Sequence, residues 1–94
     1  MDKTFGSFIW NSKKELENIS KHGVDFLTAV EVFQDSERKI YTDSRHSGEE
    51  ERLFCIGKVK GRILTVRFIY RAGRIRIFGA GYWRKGKDYY EKEK

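Results

Sequence analysis

Between Arg62 and Phe78 the chain reads Arg-Ile-Leu-Thr-Val-Arg-Phe-Ile-Tyr-Arg-Ala-Gly-Arg-Ile-Arg-Ile-Phe, two alternating runs about Ala72-Gly73. Successive side chains of a strand point to opposite faces. Leu64, Val66, Phe68 and Tyr70 therefore share one face of the first run, and Thr65, Arg67, Ile69 and Arg71 the other. In the second run Ile75 and Ile77 fall together, opposite Arg74, Arg76 and Phe78. An even-length loop pairs the two apolar sets and the two arginine sets. An odd loop would set Arg76 beside Phe68 and bury its charge, so the pattern dictates the register. The expected product is a β-ribbon with one apolar face and one face carrying Arg67, Arg71, Arg74 and Arg76. Like charges directly across a ladder are unfavourable, and Arg71 would face Arg74 or lie in the loop beside it. Such a face is expected to meet an anion.

The rest of the chain bounds what this ribbon can belong to. Ninety-four residues allow one domain with a modest core. Twenty Lys plus Arg against fourteen Asp plus Glu give a net charge of +6, which favours polyanionic partners. The basic residues alternate on strands, and no stretch has the length of a membrane span, so no membrane partner is expected. The N-terminus lacks a signal-peptide core. A single cysteine, Cys55, sits among Leu53, Phe54 and Ile56 and reads as a buried strand residue. Together these predict a cytoplasmic protein. No cysteine or histidine spacing supports zinc, and Gly79-Ala80-Gly81 lacks the spacing of a phosphate loop; no cofactor is implied.

In chain order, Phe8-Ile9-Trp10 is a strand candidate, and Ser12 with Glu15 has the capping-box pattern of a helix start. Leu16 and Ile19 supply a narrow apolar stripe up to His22, and Gly23 suits a helix C-terminus. Asp25 is a good N-cap, after which Phe26, Ala29, Val30 and Phe33 follow helical spacing. Arg38 to Thr42 and Leu53 to Lys58 read as strands, joined by the polar loop Asp43 to Glu50. Lys60-Gly61 turns the chain into the ribbon. A short terminal helix is expected with Trp83, Lys87 and Tyr90 along one side, weakened by Gly86, in a tail from Asp88 to Lys94. The predicted order is β-α-α-β-β-β-β-α: one α+β domain over residues 1–94, its meander packed on both early helices.

Several segments resemble the BrnT family of type II toxin-antitoxin toxins. They are Phe8-x-Trp10-Asn11, Asn18-x-x-Lys21-His22-Gly23-Val24-x-Phe26, Ala29-x-x-Val32-Phe33-x-Asp35, Gly48-Glu49-Glu50-x-Arg52, Gly57 and Arg74-x-Arg76-Ile77. The resemblance implies a RelE-like fold with an antiparallel sheet. It also implies a metal-independent ribonuclease that inhibits translation, restrained by a BrnA-type antitoxin with a ribbon-helix-helix part. DNA would be met only through that antitoxin. One segment departs from the family pattern. Where the family continues Ile-Ser-Ala-Arg after the arginine strand, with a glutamate further on, this chain has Phe78-Gly79-Ala80-Gly81 and Lys87. Tyr82-Trp83-Arg84-Lys85 follows directly.

Metal-free RNA cleavage uses the 2′-hydroxyl as nucleophile and needs a proton acceptor, a proton donor and positive charge on the phosphorane. Arginine suits the last role because its planar fork holds two phosphate oxygens. The residues expected to carry catalysis are Arg67, Arg76, Arg84 and His22. Arg71, Arg74, Tyr82, Trp83, Lys85 and Lys87 are expected to bind RNA, Trp83 or Tyr82 by stacking on a base. Proton transfer is the least determined role, with His46, Tyr70, Glu49 and Glu50 as further candidates. Each also has a structural reading. His22 also suits a helix-end cap, His46 a solvated loop position, and Trp83 an anchor for a core or a partner. A basic module that binds RNA or an acidic protein without cutting is the alternative function.

Overall fold

The computed structural model describes residues 1–92; the last two residues of the expected tail lie outside the described part. Its elements are β1 (Asp2–Phe5), β2 (Phe8–Asn11), α1 (Ser12–His22), α2 (Phe26–Glu31) and a 3-10 turn (Val32–Gln34). They continue with β3 (Lys39–Thr42), β4 (Leu53–Val59), β5 (Arg62–Arg71), β6 (Arg74–Gly81) and α3 (Arg84–Lys92). The ribbon forms as its alternation requires. Tyr70 pairs with Ile75, Phe68 with Ile77, and Arg71 with Arg74. Both two-residue turns have positive φ at both positions, Lys60 (50°) with Gly61 (81°) and Ala72 (52°) with Gly73 (76°). That is the backbone twist favoured between two antiparallel strands.

The six strands lie in the order β1-β2-β6-β5-β4-β3. From β3 to β6 they form an antiparallel meander. β2 joins β6 in parallel, and β1 closes that edge antiparallel to β2, so the sheet is mixed and the predicted order lacked its first strand. All four residues of β1 are exposed, which removes the buried-face alternation by which a strand is read from sequence.

One face of the sheet carries the core. Leu64, Val66, Phe68, Cys55, Ile77 and Ala80 pack there against Trp10, Val24, Phe26, Ala29, Val30 and Val32. The second helix begins at an Asp25 cap, whose Oδ1 accepts from Thr28 N at 2.7 Å, and it covers this face as expected. α1 does not. Its N-cap is Asn11, which accepts from Lys14 N at 3.0 Å, and Glu15 serves elsewhere than in a capping box. Leu16 and Ile19 are 67 % and 40 % exposed, while the buried residues of α1 are Glu15 and Asn18. The helix lies along the free edge of β6 beyond the end of β2. There the Asn18 amide accepts from Ala80 N (3.1 Å) and donates to Ala80 O and Val24 O (2.9 Å each). Asn18 thus completes an edge whose main-chain groups would otherwise be buried unpaired. Glu15 accepts from the Trp10 indole (3.0 Å) and from Phe26 N (2.9 Å), joining β2 to the start of α2.

On the opposite face α3 covers Thr65 and Ile56. Gly86 makes that approach possible, since a Cβ there would lie 1.9 Å from Thr65 Oγ1. The buried pair of α3 is therefore Gly86 with Tyr90, and Lys87 is exposed. Tyr90 Oη donates to Asp35 Oδ2. The remainder of this face, beyond α3, holds the arginines.

Candidate functional site

The cationic face is a cleft of about 1100 Å³ between α1, the β5–β6 ribbon and the loop before β4. Lys13, Lys14, Lys21, Arg52, Arg67, Arg71 and Arg76 line it, against Glu17, Glu49 and Glu50. Two of the arginines carry internal carboxylates. Arg71 is held bidentate by Glu50 (2.6 and 2.9 Å), and Arg76 by Asp2 (2.9 and 3.4 Å). These contacts hold both carboxyls below their usual range, chiefly through the guanidinium hydrogen bond in each case. The anion that the ribbon requires is thus supplied partly by the chain itself. Both pairs are partly open to solvent, where such bridges are weak and exchangeable.

Arg67 differs. No carboxylate among the described residues lies within salt-bridge distance of it; its buried Nε, like that of Arg76, has no hydrogen-bond partner. A β-bulge in β6 explains its surroundings. Arg67 pairs with Gly79 while Phe68 pairs with Ile77, so Phe78 is the extra residue. Two residues then stand opposite one, which re-aims side chains and commonly occurs beside active sites. The bulge returns Ala80 to the core face and sets Phe78 under two guanidinium groups, those of Arg67 (5.1 Å) and Arg52 (5.2 Å). The aromatic face holds the Arg67 cation without neutralising it.

Trp83 closes one end of this cleft. Its indole lies over Gly81, where a Cβ would come within 2.8 Å of Cε2 and Cζ2, and the His22 ring meets it edge-on at 5.1 Å. The two glycines among the replaced positions of the family pattern therefore differ. At Gly79 a Cβ would meet Arg67 Cδ at 3.5 Å, ordinary contact, so there is room for a Cβ. At Gly81 any side chain requires Trp83 to move.

The cleft thus gathers His22, Arg67, Arg71, Arg76 and Trp83 of the sequence-predicted residues. Lys85 lines an adjoining cavity of about 810 Å³, with which the cleft shares Arg67 and Trp83. Arg74 sits at the ribbon tip, and neither it nor Arg84, Lys87 or Tyr82 lines either cavity. Tyr82 packs against the core and lies under Arg62, 3.6 Å from ring to guanidinium. The loop from Asp43 is better tied than its composition suggests. Asp43 is buried, Asp43 N donates to Arg52 O (2.7 Å), and Ser47 Oγ donates to Asp43 O (2.8 Å) while accepting from Arg52 N (2.9 Å). Sequence reasoning passed over Phe78, Arg52 and Asn18 as parts of the site. Only an inventory of who faces whom across the bulge reveals them.

Among the described residues no three His, Cys, Asp or Glu side chains gather as a metal site, and no helix is long and apolar enough to cross a membrane. Cys55 is fully buried, and burial pushes its thiol up to about 12. A search of curated proteins finds no match to the chain. Residues 10–86 match the family described as "Ribonuclease toxin, BrnT, of type II toxin-antitoxin system". That span takes in the end of β2 from Trp10, all of α1, α2 and β3 to β6, and the first residues of α3, hence every residue that lines the cleft. By this match over most of its length, the chain belongs to the BrnT family of type II toxin-antitoxin ribonuclease toxins.

Proposed function

We propose that this chain is itself an active, metal-independent endoribonuclease toxin on a RelE-like scaffold, and that it inhibits translation by cutting RNA in the Arg67 cleft. In this reading Arg67 takes the scissile phosphate, because its guanidinium is fixed over Phe78 and carries no internal carboxylate. That single observation is what most supports the reading. Arg76 and Arg71 exchange Asp2 and Glu50 for neighbouring phosphates, Trp83 offers a stacking surface, and His22 supplies a proton donor beside it. Arg74, Arg84, Lys85 and Lys87 extend the positive field and bind flanking backbone without entering the chemistry. A BrnA-type antitoxin with a ribbon-helix-helix part restrains the toxin, in the cytoplasm, and carries any contact with DNA.

Induced expression of the chain alone is expected to arrest growth and lower bulk translation, and co-expression of the neighbouring reading frame to restore growth. Full viability with intact transcripts would overturn the proposal. One observation favours a second reading: Trp83 occupies the space over Gly81, where the family pattern has an arginine. A chain that binds RNA with steep salt dependence yet leaves it uncut would be the non-catalytic module.

A further inference from the structure

We propose that His46, held by Asp43, is a second proton-transfer group of this site, on the opposite side of Arg67 from His22. The inference rests on the ribonuclease reading above. His46 Nδ1 lies 2.9 and 3.1 Å from the two carboxylate oxygens of Asp43. A carboxylate accepts, so Nδ1 carries the proton and Nε2 of the neutral ring keeps its lone pair. Asp43 is 7 % exposed and its main chain is locked to Arg52 and Ser47, whereas the His46 side chain is 58 % exposed. A buried carboxylate orienting an accessible imidazole is the arrangement that fixes a tautomer for proton transfer.

Its position gives this pair a task. The second cavity holds His46 with Arg45, Arg67, Trp83 and Lys85, and the main cleft holds His22 with Arg67 and Trp83. Arg67 and Trp83 line both cavities, while His22 lines one and His46 the other. In-line displacement at phosphorus places the attacking and leaving oxygens on opposite sides of the phosphate, so base and acid must also be opposed. His46 Nε2 takes the proton of the 2′-hydroxyl, whose oxygen attacks the adjacent phosphorus. The bond from phosphorus to the 5′-oxygen breaks, and that oxygen receives a proton from the imidazolium of His22. The products are a 2′,3′-cyclic phosphate and a 5′-hydroxyl, with no other reactant consumed. Arg67 balances the phosphorane charge throughout.

The test measures cleavage of total RNA in a ribosome-containing extract by the purified chain and by His46→Ala and His46→Gln. Both variants are expected to lose about 10²–10⁴-fold in maximal rate, with the half-saturating protein concentration held within about twofold. Added imidazole should restore part of the rate of His46→Ala. Asp43→Asn, which acts through His46, should lower the maximal rate with the same unchanged half-saturation. Wild-type cleavage with undiminished His46→Ala and His46→Gln rates would overturn this proposal and leave the ribonuclease reading standing. RNA left whole by the wild-type chain would overturn both.

Discussion

Arg67 reaches the site only because of what stands opposite it. Had β5 and β6 stayed in simple register, Gly79 would have faced Val66 and a core position would have lost its side chain; the bulge at Phe78 seats Ala80 there instead. The arginine period of the ribbon is plain in the sequence, but the bulge is not, since Phe78-Gly79 is equally consistent with an unbroken ladder. The same holds for α1, where Leu16 and Ile19 mark an apolar stripe, yet Glu15 and Asn18 face inward. A buried polar residue is tolerated only when every partner is present, and those partners lie far away in sequence. Asn18→Ala, which removes three buried hydrogen bonds, is expected to cost about 2–4 kcal/mol in urea unfolding. The glycines make a paired prediction. Gly79→Ser should leave stability within about 0.5 kcal/mol, whereas Gly81→Ala should cost about 1–3 kcal/mol and shift tryptophan emission as Trp83 is displaced. Equal effects at the two positions would refute the packing described here.

The hairpins are the elements most legible from sequence, because both the alternation and the turn residues point to one register. Lys60 and Ala72 are the exceptions within them, non-glycine residues with φ of 50° and 52°. Ala72→Gly should stabilise the ribbon by about 1 kcal/mol, read as a rise in denaturation midpoint. α3 depends on a different contact, between Tyr90 and Asp35. Burial first and the Asp35 hydrogen bond second push the Tyr90 phenol up to about 12. Partial burial pushes the Asp35 carboxyl up, but hydrogen bonds from Tyr90 and from the N–H groups of Lys58 and Glu37 outweigh it and hold it below 3.8. The signs follow from proton linkage. The Tyr90 contribution is full below pH 10 and is lost as pH rises toward 12. The Asp35 contribution is present above its ordinary value and is lost as pH falls through its lowered one. Tyr90 should therefore resist ionisation near pH 10 in an ultraviolet titration, and Tyr90→Phe should remove that late step.

At the scale of the whole molecule, a surplus of six positive charges is divided between a cleft whose outer arginines carry removable carboxylates and a central arginine that carries none. That Glu50 screens this face is consistent with an acidic run, Glu49-Glu50-Glu51, beside a basic ribbon, but nothing announces Asp2, which comes from an edge strand that the sequence does not reveal. RNA should displace both, so affinity is expected to fall steeply between low and physiological salt as counterions are released. A flat response in a filter-binding series would remove phosphate contacts from the account. The most direct test maps 5′ ends of RNA from cells expressing the wild-type chain and the double variant Arg67→Ala with Arg76→Ala, its fold checked by circular dichroism. New 5′ ends with the wild type and none with the folded variant are the predicted result; the same ends from both would place the chemistry outside this cleft.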